Sequence, residues 1–133
     1  PCQAIRLEQL AFDDLFATAT GLLLTAYCSK SERANCFKVQ KQRGGSFMDK
    51  FSNLETLNDE LDKIRHQGYV ELDRGCQWIC AYPVKSGNKV DSAIGMSILK
   101  SQHNMELHRK ISRTLKSAAE EISHYSEMNV IIG

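Results

Sequence analysis

Two strand-like runs, Gln77 to Val84 and Lys89 to Leu99, are separated only by Lys85-Ser86-Gly87-Asn88. Glycine and asparagine tolerate the positive φ of tight turns, so the runs read as a hairpin and commit the chain to an antiparallel sheet. Side chains on a strand alternate between its faces. On the second run Val90, Ser92, Ile94, Met96 and Ile98 share a face oily enough for a core, while Asp91, Ala93, Gly95 and Ser97 share the other. That second face is small and polar. It suits room beside a ligand better than packing. On the first run Trp78 and Tyr82 alternate, which fits a core or interface role rather than base stacking.

Helical patterns flank the hairpin. Ser52 and Glu55 have capping-box spacing, and Leu54, Leu57, Leu61 and Ile64 recur at three and four residues, with Asp59 and Lys63 able to pair on the exposed side. Gly68 stops this helix and Tyr69 to Leu72 leaves it as a strand. Ser29 with Glu32 marks a second, short helix over Glu32–Val39, followed by a surface loop from Gln40 to Phe51 around Gly44-Gly45. A long amphipathic helix runs from about Asn104 to Glu127, with Leu107, Ile111, Leu115, Ala118 and Ile122 as its buried stripe. Ile5 to Glu8 reads as a short strand. Between it and the helices lies Leu15-Phe16-Ala17-Thr18-Ala19-Thr20-Gly21, a loop that feeds a helix from about Ala19 to Cys28. Its hydroxyls suit an N-cap, and its small side chains leave the helix start open. The N–H groups and positive dipole end there suit a carboxylate.

Composition narrows the function classes. A chain of 133 residues with 42% hydrophobic content supports one mixed domain with a real core. Lys and Arg number 17 against 16 acidic residues, a net charge of +1, and the basic groups Lys38 to Arg43 and Arg109 to Lys116 are mixed with neutral residues. They read as solvated faces, without the concentrated positive surface that nucleic-acid binding needs. No apolar run is long enough to span a membrane and no signal peptide is visible, so a cytoplasmic location is expected. The five cysteines, at 2, 28, 36, 76 and 80, fit reduced thiols. Cys76 and Cys80 are too widely spaced for a usual zinc knuckle, and sharing a strand face they suit packing. His66, His103, His108 and His124 all fall on or beside helix surfaces and read as solvated. A glycine-rich phosphate loop and an H-E-x-x-H are both absent. Nothing favours a Cys–His pair as catalyst, so no enzyme, metal or cofactor is expected.

Five segments together resemble one family. Leu15-Phe16-Ala17-Thr18-Ala19-Thr20-Gly21 resembles the Leu-His-Ala-Thr-Ala-x-Gly segment of IclR-type transcriptional regulators, in their C-terminal effector-binding domain. Leu61-x-x-Ile64-Arg65-x-x-Gly68-Tyr69 is similar to that domain's Leu-x-x-Ile-Arg-x-x-Gly-Tyr, and Ala81-Tyr82-Pro83-Val84 to its Ala-x-Pro-Val strand. Ala93-Ile94-Gly95-Met96-Ser97 resembles its Ala-x-Ser-x-Ser strand, and Ala118 to Ser123 its closing Ala-x-x-Ile-Ser helix. Each motif is weak alone. Their common order over most of the chain makes the likeness fairly specific.

The resemblance implies an α+β fold related to GAF and PAS sensors: a curved antiparallel sheet with helices on both sides and a ligand on one sheet face. It implies a small-molecule effector, a carboxylate by preference, and a homo-oligomer, either dimer or tetramer. DNA would be reached only through an upstream winged helix-turn-helix. Residues 1–133 would then be the effector-binding domain, shortened at its N-terminus and without that reader. The ligand site would take backbone and hydroxyl donors from Thr18, Ala19 and Gly21 and a hydroxyl from Ser97, with Asp73 on its rim. Ile79 stands at the family's pocket cysteine, turning Cys80 to the other side, and Gly95 replaces the first of two strand serines. Phe16 stands where the family often has His, and Leu22 where a basic residue is usual. The pocket is therefore less polar than in the family. The alternatives are a structural or oligomerisation remnant without ligand, and a thiol-based redox sensor using Cys76 or Cys80.

Overall fold

The computed structural model describes residues 3–6, 15–43 and 50–132, with side chains described for 15–43 and 50–124. In chain order these form β1 (Gln3–Arg6), a 3-10 turn (Leu15–Ala17), α1 (Ala19–Ala26), α2 (Lys30–Arg43) and α3 (Leu54–Gln67). Then come β2 (Val70–Arg74), β3 (Gln77–Ser86), β4 (Lys89–Leu99), a second 3-10 turn (Lys100–Gln102) and α4 (Met105–Ile132). The hairpin stands where its turn residues place it. All strands pair antiparallel in one sheet of order β1-β4-β3-β2.

Strand alternation divides the core in two. Ala81 and Ala93 face a cluster with Leu22, Leu23, Leu57 and Leu61, so α1 and α3 cover this side. Trp78, Cys80, Tyr82 and Ile94 face the other side, where Ile111, Leu115 and Ala119 of α4 cover them. The sheet thus carries helices on both faces, the mixed architecture that the sequence implied. Helix α1 is buried along its whole length. Small strand residues beneath it let it approach the sheet closely.

Several local signals hold in detail. At the start of α2 the Glu32 amide donates to Ser29 Oγ at 3.2 Å and the Ser29 amide to Glu32 Oε1 at 3.1 Å, a complete capping box. Gly68 closes α3 with φ of 87°, in the left-handed region that glycine adopts without a Cβ penalty. Other boundaries move. The N-cap of α3 is Asn53 rather than Ser52; its Oδ1 accepts the Thr56 amide at 2.8 Å. Helix α2 continues through Arg43, into the stretch that reads as loop, because Gln40 is buried and its Oε1 accepts the Leu15 amide at 3.0 Å. Arg33 is buried too, donating to Asp62 and to the Ala26 carbonyl at 2.7 Å each, so it ties α2 to α1 and α3. Of the expected Ile5–Glu8 strand, Ile5 and Arg6 lie in β1 and the rest falls outside the described residues.

Three faces differ from the simple periodic reading. In the hairpin Val84 pairs with Ser92 but Lys85 with Val90, so Asp91 is an extra residue in a bulge. Beyond it the alternation inverts, and Val90 packs with the α1 and α3 cluster rather than beside Ile94. Along α4 the contact line follows Ile111, Leu115 and Ala119 to Ser123, whose Oγ accepts the Lys85 amide at 2.8 Å. Rows of side chains four apart are inclined to the helix axis, so this line leaves Ile122 behind at 42% exposure. Finally, Cys76 lies exposed in the turn between β2 and β3, not on the buried face of Cys80.

Candidate functional site

The site begins at the first turn of α1. Thr18 has extended backbone and its Oγ1 accepts the Gly21 amide at 3.0 Å, a working N-cap. This bond occupies the Gly21 donor. The amides of Ala19 and Thr20 belong to the first turn of the helix, at the positive end of its dipole. Gly21 serves packing instead: a Cβ there would lie 1.9 Å from the Leu15 carbonyl oxygen and 2.7 Å from Thr18 Oγ1. The expected ligand donor Gly21 is thus a close-approach glycine.

The opposite wall comes from the sheet. Ile79 pairs with Ser97 and Ala81 with Gly95, which sets Ile79, Gly95 and Ser97 on the face beneath α1. A Cβ on Gly95 would meet the Cys80 carbonyl oxygen at 3.2 Å and Thr20 Cγ2 at 3.4 Å. The missing side chain is therefore what lets the start of α1 settle on β4. Between helix start and sheet opens a cavity of about 320 Å³, lined by Thr18, Ala19, Ile79, Gly95 and Ser97 among the residues expected there. Its remaining wall includes Ala17, Thr20, Arg74 and Gln77.

Asp73 is not in that wall. It pairs in register with Trp78, on the α4 face, and its Oδ1 accepts from Lys100 Nζ at 2.8 Å. The neighbouring Arg74 pairs with Gln77 and lines the cavity, so the charged strand residue in its wall is Arg74 rather than Asp73. One step along a strand reverses the face. Counting alternation back from the half-buried Leu72 is the sequence signal that selects Arg74.

Among the described residues, Cys28 and Cys36 give no second centre. Burial pushes the Cys28 thiol up to about 11, with smaller contributions in the same direction from Glu32 and Cys36. Burial, then Glu32, raises Cys36 as well. Cys80 is buried on the α4 side, and only its position in β3 brings it to the cavity edge. Reactive thiols occupy electropositive, accessible positions, and Cys28 and Cys36 do the opposite. A larger cavity, about 500 Å³, lies on the other sheet face between the end of α3, β3 and α4, lined by Tyr69, Tyr82 and Lys116 among others. It holds none of the residues expected to form the ligand site.

Residues 11–124 match the family model described as Bacterial transcriptional regulator IclR C-terminal. The chain belongs to the IclR C-terminal family. It is an IclR-type effector-binding domain. Solved structures share its fold. The C-terminal domain of the E. coli regulator KdgR superposes with a TM-score of 0.68 at 23% identity, over 85% of this chain and 71% of that one. The Agobacterium tumefaciens repressor BlcR gives 0.67 at 21% identity, over 86% of this chain and 47% of BlcR. The inducer-binding domain of PobR from Acinetobacter, a double mutant in complex with 3-hydroxybenzoic acid, gives 0.63 at 16% identity, over 82% and 65%. The chain therefore spans about half the length of BlcR. Comparison with curated protein sequences yields no match.

Within this IclR C-terminal domain three of the family-like segments converge. Leu15–Gly21 supplies the helix start, and Ala81–Val84 and Ala93–Ser97 run side by side under it. Phe16, where the family often has His, is fully buried, and Leu22 is 2% exposed. Both substitutions are absorbed by the core.

Proposed function

We propose that this IclR C-terminal domain senses a small organic acid in the cavity between the start of α1 and the β3–β4 hairpin. The observation that carries the reading is that Thr18, Ala19, Thr20, Ser97 and Arg74 line one cavity at the start of α1. Backbone amides and a guanidinium together hold a carboxylate by charge-assisted bonds. Ile79 and Ala17 add apolar wall for the rest of the molecule. A cavity of about 320 Å³ sits at the small end of ligand pockets. PobR's inducer-binding domain, crystallised with 3-hydroxybenzoic acid, is a structural relative whose ligand has this chemistry. Binding would bias a homo-oligomer in the cytoplasm, and the oligomer would act on DNA through a reader domain in the full-length regulator. Among the described residues no helix is long and apolar enough to cross a membrane.

Thermal shift against a panel of small mono- and dicarboxylates tests this, since a ligand that binds only the folded state raises the melting temperature. At least one acid is expected to raise it saturably. Ser97→Leu should remove the shift with the unliganded melting curve little changed, and Arg74→Gln should weaken it at least tenfold. A panel acid that binds these variants as well as it binds the parent chain would displace the site from this cavity.

A further inference from the structure

On the far face of the sheet, Trp78 carries two imidazoles. His103, just after β4, stacks on the indole with ring centroids 4.7 Å apart, and His108 of α4 lies at 4.7 Å on a steeper tilt. Both residues read as solvated in the sequence; the indole and each other hold them instead. His103 Nε2 and His108 Nδ1 are 2.9 Å apart. His108 Nε2 donates to Glu71 Oε1 at 3.1 Å.

We propose that His103 and His108 form a two-histidine site for a late first-row divalent cation such as Zn²⁺ or Ni²⁺, with Glu71 as the positioning residue behind it. Three features converge on this. Glu71 accepts a hydrogen bond from Nε2–H of His108, which in the neutral ring leaves Nδ1 as the nitrogen with a free electron pair. That nitrogen faces Nε2 of His103. Imidazole nitrogens suit these ions, and a carboxylate behind a ligating histidine fixes its tautomer and raises its basicity. Two nitrogens on a tetrahedral ion at about 2.0 Å stand roughly 3.3 Å apart, so the pair must open by only about 0.4 Å.

Without metal, and with His108 in the neutral tautomer that Glu71 favours, the short contact is a hydrogen bond in which His103 Nε2–H donates to His108 Nδ1. On binding, His103 carries its proton on Nδ1 instead, and both facing nitrogens donate electron pairs to the ion. No redox change occurs and no net proton is released. Among the described residues no group of three or more His, Cys, Asp and Glu side chains gathers into a complete cage. The protein thus supplies two ligands and water the rest, so the ion would clip the segment after β4 to the first turn of α4 while keeping open positions.

Trp78 is the single tryptophan of the chain and reports on the site directly. In a Cys2→Ser, Cys76→Ser background, which removes the exposed thiol and the one outside the described residues, Ni²⁺ should quench its fluorescence saturably at one ion per chain, and Zn²⁺ should reverse the quenching. His103→Gln and His108→Gln should each weaken binding at least tenfold, Glu71→Gln about tenfold, and His66→Gln not at all. Circular dichroism and melting of each variant establish that the fold is retained, and isothermal titration of the background protein with Zn²⁺ gives an independent stoichiometry. Quenching that fails to saturate, or that persists equally in both histidine variants, would mean the pair is only a hydrogen bond and would overturn the site.

Discussion

Gly21→Ala is a test of how tightly α1 is seated. In an ordinary helix interior this change is favourable by roughly 0.5–1 kcal/mol, because alanine loses less backbone freedom on folding. Here the new Cβ would sit 1.9 Å from the Leu15 carbonyl oxygen, and real Cβ atoms keep at least 3.0 Å. The obstacle is backbone, so the 3-10 turn and the helix must part by about 1.1 Å or more. That movement lifts Leu22 and Leu23, at 2% and 0% exposure, out of a close-packed cluster. Overpacking of this kind costs about 1–3 kcal/mol. It also displaces the N-cap bond from Gly21 to Thr18, worth about 1 kcal/mol. A net loss of about 2–4 kcal/mol is expected, measured by urea unfolding with an unchanged slope. Gly68→Ala is the matched control, since its Cβ meets nothing within 4 Å and the strain is purely that of φ at 87°. It should cost about 1 kcal/mol. If Gly21→Ala proves neutral or stabilising, the helix start is not held against the turn, and the cavity wall built on it falls with it.

Leu61 is fully buried between α3 and α1, so Leu61→Ala should cost about 2–5 kcal/mol in the same assay; a loss below about 0.5 kcal/mol would place it on the surface. The raised Cys28 thiol predicts a pH dependence with a definite sign. Below pH 9 folded and unfolded chains both keep the proton, whereas between the ordinary thiol value of 9.0 and about 11 only the unfolded chain ionises, so stability should fall as pH rises through that window. Cys28→Ala should flatten the fall, and native thiol labelling at pH 8 should reach exposed Cys76 well before Cys28. With a net charge of +1, the isolated chain should show no duplex DNA binding in gel shifts at physiological salt and should self-associate in size-exclusion chromatography with light scattering. Submicromolar duplex binding would reinstate the Arg109–Lys116 or Lys38–Arg43 faces, and a clean monomer would count against the oligomer.

Much of this architecture was legible because it rests on neighbours close in the chain. The hairpin turn, the Ser29–Glu32 cap, the stop at Gly68 and the separation of Ile79 from Cys80 all depend on residues within four positions of each other. Period-two alternation likewise placed Gly95 and Ser97 on the cavity face, and the Thr18 cap followed from residue type. The errors share a cause of the opposite kind. Asp73 and Arg74 are both polar strand residues, and only pairing with Trp78 and Gln77 decides which of them meets the cavity. The bulge at Asp91 reverses every face beyond it, yet it exists only relative to the partner strand. Gln40 is buried because a backbone donor 25 residues away needs an acceptor. His103 and His108 are half-buried because Trp78, far back on β3, offers its faces to both. Local patterns set which segments become helix and strand. Which side chains face one another is settled by sheet register and by the burial of polar groups from distant parts of the chain, and the cavity and the histidine pair are built from those long-range choices.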